Sequence, residues 1–147
     1  MKQYFCLFII FIFQFSLADM ASEDATEIIG RWKFTEYIYN GQTLPLPNPK
    51  LQLFFEFNQT GSNRLWWTRD NEPGFCERIG LYNFDGDTLE DQVVWVNPNN
   101  HIECAKHEDM IMGQIAKNKV TIIGNKLHLH LALKGEPFVY VWEKQSL

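Results

Sequence analysis

The side chains with the widest chemical scope in this chain fall into three groups. His101-Ile102-Glu103-Cys104 with His107 has a spacing that suits a soft metal ion held on a loop, and His128 and His130 share one face of an alternating run. Arg64, Arg69 and Arg78 lie on or beside apolar runs. An arginine turned inward would bind a carboxylate head group or pair with Glu36; turned outward it is a solvated surface charge. Phe55, Phe57, Trp67, Tyr82, Trp95 and Tyr140 can wall a concave apolar site of the kind that receives small molecules, or simply fill a core. Enzyme chemistry has little to stand on. The chain shows no nucleophile flanked by glycines, no phosphate-cradling glycine loop and no recognisable catalytic carboxylate pair. It reads as a non-enzyme with no cofactor and no resident metal.

These groups must be positioned by a fold formed outside the cytoplasm. Lys2, the apolar run Tyr4–Phe13 and the small residues Ser16-Leu17-Ala18 have the layout of a cleaved secretory signal over residues 1–18. Asp19 arrives too early for a membrane anchor, which needs about 20 apolar residues. Cys6 lies within the apolar run, and no cysteine follows the cut, which disfavours a lipoprotein. The remainder suffices for one domain with a core. Its charge is more negative than the formal −5 of the whole chain, because the leader takes Lys2 and no acid. That balance argues against nucleic acid or an anionic membrane as partner. Cys76 and Cys104 remain, and an even pair in an exported chain is most simply a disulfide, worth roughly 3–4 kcal/mol by the chain-entropy model. That bond would take the Cys104 thiolate away from any metal.

After a short polar segment (residues 19–27), hydrophobic periodicity is close to two. Strands are expected at Arg31–Tyr39, Leu51–Asn58, Asn63–Arg69, Cys76–Phe84, Glu90–Asn97, Ile115–Ile123, Lys126–Leu133 and Phe138–Lys144, with a domain over 28–144. Turn chemistry separates them: Asn40-Gly41, Gln59-Thr60-Gly61, Asn71-Glu72-Pro73-Gly74, Asp85-Gly86-Asp87 and Gly124-Asn125. The segment through Pro45, Pro47 and Pro49 reads as a loop, since it lacks three amide donors, and residues 98–114 read as irregular. Asn58-Gln59-Thr60 is a glycosylation sequon, meaningful in a eukaryotic source. Eight antiparallel strands joined by mostly short loops predict an all-β fold. An up-and-down barrel removes the exposed edges of a flat sheet, and a two-sheet sandwich is the alternative.

Ile29-Gly30-Arg31-Trp32, a Gly-X-Trp opening the first strand of a short exported all-β chain, resembles the start of the lipocalins and their calycin relatives. The last-strand pattern Phe138–Lys144 is similar to that of small bacterial lipocalin-like proteins. The resemblance implies that Trp32 packs across the closed end of an eight-stranded barrel, that Gly30 admits the chain tightly, and that a basic residue stacks on the tryptophan, Lys144 being the better candidate and Arg31 the poorer. Two features depart from the family: no room is left after Lys144 for the C-terminal helix of animal lipocalins, and Gly-X-Trp is the only motif matched. Streptavidin-like barrels share that opening, but no matching biotin-contact set is present. Cytosolic fatty-acid binders need a helix pair where the Pro-rich loop stands.

With Trp32 inward, alternation puts Phe34, Glu36 and Ile38 on the inner wall beside the aromatic set and Arg78. The leading expectation is therefore a secreted or periplasmic barrel binding a small apolar or amphipathic molecule inside. The rival is a barrel acting through its rim loops, as an inhibitor of a protease or lysozyme, a reading by analogy of fold alone.

Overall fold

The computed structural model describes residues 27–69, 75–133 and 135–146. The expected leader, nearly all of the polar segment after it and the turn at Asn71–Gly74 lie outside the described residues. Period-two patterning becomes nine antiparallel strands: β1 (Gly30–Tyr39), β2 (Gln42–Pro45), β3 (Leu51–Phe57), β4 (Ser62–Arg69), β5 (Phe75–Phe84), β6 (Thr88–Val96), β7 (Ile115–Ile123), β8 (Lys126–Leu133) and β9 (Glu136–Lys144). All but β2 follow one another around the sheet, and β1 pairs with β9 from Trp32↔Lys144 to Tyr39↔Phe138. The sheet is thus a closed eight-stranded up-and-down barrel. β2 is an addition. It returns across Asn40-Gly41 and pairs with the second half of β1, where β3 has already diverged. The proline segment, read as a loop unable to pair in a sheet interior, gives up its first residues to this short edge strand, which ends at Pro45.

Chain direction sorts the connections to two ends. The tight turns at 58–61, 85–87 and 124–125 lie at the end where β1 begins. The proline segment and residues 97–114 lie at the other. The first end is closed. Trp32 is fully buried there and donates its indole N–H to Ile28 O at 2.7 Å, while Lys144 Nζ stands 5.0 Å above its ring. Gly30 adopts φ +125°, and a Cβ there would come within 3.1 Å of Lys144 Cε, so the close approach needs glycine. Phe57 and Tyr82 meet edge to face on this floor at 5.0 Å.

The open end is bridged by residues 97–114, which include two 3₁₀ turns, Ile102–Lys106 and Glu108–Met110. The expected Cys76–Cys104 disulfide is present and ties the first turn to the start of β5. Asn100 reinforces it, accepting from Glu77 N at 2.8 Å and donating to Glu77 O at 2.9 Å. Outside the barrel, Phe54 breaks the inward row of Leu51, Leu53, Phe55 and Phe57 because it has an exterior partner. It stacks on Trp66 at 5.1 Å, and Arg31 and Arg64 lie over that indole at 5.4 and 4.4 Å.

Replacing Trp32 with Ala should destabilise the fold by about 3–5 kcal/mol, the usual cost of deleting a fully buried large aromatic. Urea denaturation checks this; an unchanged midpoint would remove the indole from the floor.

Candidate functional site

Inward-pointing side chains leave a cavity of about 220 Å³ between the aromatic floor and the 3₁₀ turns. β3 contributes Leu51, Leu53 and Phe55, β4 Leu65 and Trp67, and β8 Leu129 and Leu131. Phe34, Tyr140 and Trp142 complete the apolar wall. Phe34 packs on Tyr140 at 4.6 Å and on Trp142 at 5.3 Å, and Phe55 meets Trp142 at 5.7 Å.

One polar cluster interrupts this wall. Arg78 on β5 and Asp91 on β6 line the cavity, and Asn63 on β4 lies beside them; all three are buried. Arg78 Nη2 donates to Asp91 Oδ2, and Nη1 donates to Asn63 Oδ1 and, at 3.3 Å, to Asp91 Oδ1. Asn63 Nδ2 donates to Asp91 Oδ1 at 2.7 Å. The guanidinium lies 5.1 Å from the Phe55 ring centre. Burying an arginine is tolerable because its charge is matched and most of its donors are used. Space for the cluster comes from Gly80. An added Cβ would sit 2.6 Å from Arg78 Nη1 and closer still to Asp91 Oδ1.

From the 3₁₀ turns, His107 and Asp109 reach the cavity lining. The His107 ring meets Trp67 edge to face at 5.3 Å. Asp109 is an exposed residue, and the partial desolvation of its carboxyl by the surrounding loop raises it above the ordinary aspartate range; Asp91 and Glu108 push the same way, while Arg78 and His107 oppose. Burial likewise raises the Tyr140 phenol, and Asp109 adds to that shift. The Tyr82 phenol is also raised by burial.

Of the ten residues expected to contact a ligand, Phe34, Phe55, Trp67, Arg78 and Tyr140 line the cavity. Phe57 and Tyr82 face inward but one level too low, in the floor, where Tyr82 donates its hydroxyl to Asn58 O at 2.7 Å. Three are corrected. Glu36 and Ile38 face outward because a β-bulge at Thr35 shifts the register with β9: Phe34 pairs with Trp142, and Glu36 with Val141. Tyr37 takes the inward place, and Glu36 pairs across the outer wall with Lys126 at 2.6 Å. A second bulge at Val94 sends Trp95 outward opposite Ile79, while Val93 remains buried. Arg64 is exterior and pairs with Glu77; the Arg69 side chain lies outside the described residues.

Sequence reasoning missed Asn63, Asp91 and Asp109. The first two carried a legible signal, a polar residue at an inward position of an alternating strand. Asp109 carried none, since it belongs to an irregular loop. Among the imidazoles considered for metal, His101 accepts from Glu103 N at 3.3 Å, and the Cys104 sulfur is committed to the disulfide. His128 and His130 alternate with the inward leucines of β8, and His130 Nε2 lies 3.0 Å from Thr121 Oγ1.

No protein-family model matches the chain, and no curated protein matches its sequence. Two solved structures are similar in outline. One is an uncharacterised protein from Bacteroides eggerthii, 20% identical, with a TM-score of 0.49, covering 80% of this chain and 99% of its own. The other is As-p18, described as an extracellular fatty acid binding protein, 8% identical, with a TM-score of 0.43, covering 82% of this chain and 97% of its own. Both scores fall below 0.5, so the functional reading rests on this chain's own geometry.

Removing one member of the buried pair strands the other. Asp91→Leu should cost about 3–5 kcal/mol, and the double variant Arg78→Met/Asp91→Leu should recover much of that loss. A double-mutant cycle in denaturant checks this, and strictly additive losses would contradict the pairing. Stability should also depend on pH through β8. Burial holds His128 and His130 below the ordinary histidine value, with Lys126 and Lys119 respectively adding to the shift. The unfolded chain therefore takes up these protons first. Their contribution is complete above the unfolded pKa of 6.5 and is lost as pH falls through it toward the folded values. Melting temperature should drop between about pH 7.5 and 5.5, and His128→Gln/His130→Gln should flatten that drop; an equally steep slope in the double variant would refute the assignment.

Proposed function

We propose that this protein is an exported carrier that holds one small apolar or amphipathic molecule inside its barrel, without chemical conversion. The observation that carries this reading is the cavity itself, roofed by a disulfide-pinned loop and walled mainly by leucines and aromatics. At about 220 Å³ it is smaller than the ~300–1,000 Å³ of drug-sized pockets, which favours a short ligand or one whose tail leaves through the mouth. A binding role also fits the polar chemistry. The Asp91 carboxylate and the Arg78 guanidinium in the wall already pair with each other, and the described lining contains neither serine nor cysteine. Export is supported by the leader-like composition of residues 1–18 and by the disulfide, which suits an oxidising compartment. Among the described residues, no helix is long and apolar enough to cross a membrane.

A second reading, action through the rim on a protein partner, draws on one observation. Ile102, Ile111 and Met112 stand exposed on the loop at the open end, Ile102 at 79%. That reading gives no role to the cavity beneath.

Ala116 lines the cavity with a side chain small enough to enlarge. Ala116→Trp should weaken binding of the neutral dye aminoanthracene by about tenfold or more, with the circular-dichroism melt showing the barrel still folded. Mass spectrometry of organic extracts from native protein should find a stoichiometric small molecule. Undiminished dye binding in the filled variant, together with empty extracts, would contradict the carrier reading.

A further inference from the structure

The loop across the open end is held to the barrel very unevenly. Its first part is stapled to β5. Asn97 donates its backbone N–H to Glu77 O at 3.1 Å and its side-chain amide to Glu77 Oε2 at 2.7 Å. His101 N–H donates to Phe75 O at 3.0 Å, and Cys104 is joined to Cys76. The last part is stapled to β6, with Gly113 N–H donating to Val93 O at 2.8 Å and Val93 N–H to Gln114 O at 2.9 Å. Between these anchors, among the described residues, the hydrogen bonds of residues 105–112 all stay inside the loop. Side-chain packing holds this span down instead. Met110 is 3% exposed and joins the core, whereas its neighbours Asp109, Ile111 and Met112 are exposed. The only other grip among the described residues is the His107 ring against Trp67. The 3₁₀ turn Glu108–Met110 is also flanked by residues that can absorb a rotation. His107 (φ −94°, ψ 128°) and Ile111 (φ −93°, ψ 120°) are extended, and Gly113 follows at φ +82° with nothing within 4 Å of where a Cβ would stand.

We propose that residues 105–112 form a strap that gates the cavity, with Met110 as its latch: the bound molecule enters and leaves when the strap lifts between two fixed anchors. The inference rests on the carrier reading above and supplies its route of exchange. His107 and Asp109 of the same span line the cavity, so lifting the strap uncovers the mouth. The lift gives up the burial of one methionine and one ring contact. Entry through the wall would break continuous strand pairing, and entry through the floor would unseat the fully buried Trp32. Of these three openings the strap is the least costly, and local openings of this kind outpace global unfolding. Met110 itself is absent from the cavity lining. It grips the barrel, not the cargo, so a weaker latch speeds entry and exit alike.

Stopped-flow mixing of aminoanthracene with the intact protein tests this. Met110→Ala should raise the association and dissociation rates together, each by about tenfold, so that Kd moves by less than about threefold. Met110→Leu refills the socket and should bring both rates back toward their original values. A cavity merely loosened by the alanine would show faster dissociation with no faster entry. Amide hydrogen exchange on the unaltered protein gives a second readout that needs no variant to fold. The Met110 and Ile111 amides should exchange together, through an opening insensitive to low denaturant, well ahead of the His101 and Gly113 amides. Equal protection at strap and anchors, or an alanine variant that leaves the association rate unchanged, would overturn the inference while leaving the carrier reading standing. Dye that fails to bind the unaltered protein would overturn both.

Discussion

Hydrogen bonding between β1 and β9 closes the eight main strands into a continuous wall, with the short β2 as its edge among the described residues, and everything inside the barrel depends on it. Closure demands local bends, and the sheet supplies them at two bulges, Thr35 in β1 and Val94 in β6. Each bulge also decides which side chains see the interior. The first exchanges Glu36 for Tyr37 on the inner face; the second keeps Val93 in and turns Trp95 out. An interior that plain alternation would have furnished with a carboxylate from β1 takes its charges instead from the β5–β6 wall. The closed end is fixed by Trp32 beneath Lys144, and the space that remains lies toward the end that carries the disulfide-pinned loop.

Inside that space the balance of forces is unusual for an apolar container. Arg78, Asp91 and Asn63 satisfy most of one another's hydrogen-bonding groups, and Gly80 has been given up as a packing residue to admit them. A leucine layer would have filled the same volume with no polar atoms. What the cluster adds is a fixed guanidinium against Phe55, a polar element in a wall built mainly of leucines and aromatics. Affinity in such a site comes from apolar area, and orientation from a very few polar groups.

Much of this was legible in the sequence. Alternation from Leu51 to Phe57 and from Leu127 to Leu133 located two barrel walls to within a residue, because one buried face imposes a strict period of two. Gly30 and Trp32 marked the closed end, and the cysteine pair marked the tether. The failures share a physical cause. A bulge inserts one residue without changing composition, so Glu36, Ile38 and Trp95 kept the right parity in the sequence and the wrong face in space. Periodicity also says nothing about height within the barrel, which is why Phe57 and Tyr82 fell to the floor. Asp109 and His107 enter from 3₁₀ turns whose course is set by the disulfide and by Asn100, and no local pattern announces that. The β2 strand was hidden by Pro45, although Asn40-Gly41 was a clear hairpin turn before it.

The central claim is that this closed barrel is hollow and takes a small molecule into the space beside Arg78 and Trp142. The most direct measurement is a nitrogen–proton NMR titration of the isotope-labelled chain with decanol, following the Arg78 Nε–H and Trp142 indole resonances. The account predicts saturable shifts in both, accompanied by backbone shifts along the inner wall at Tyr140 and Leu129. Resonances that stay fixed while the exposed loop at Ile102 or the outer stack at Trp66 responds would contradict it.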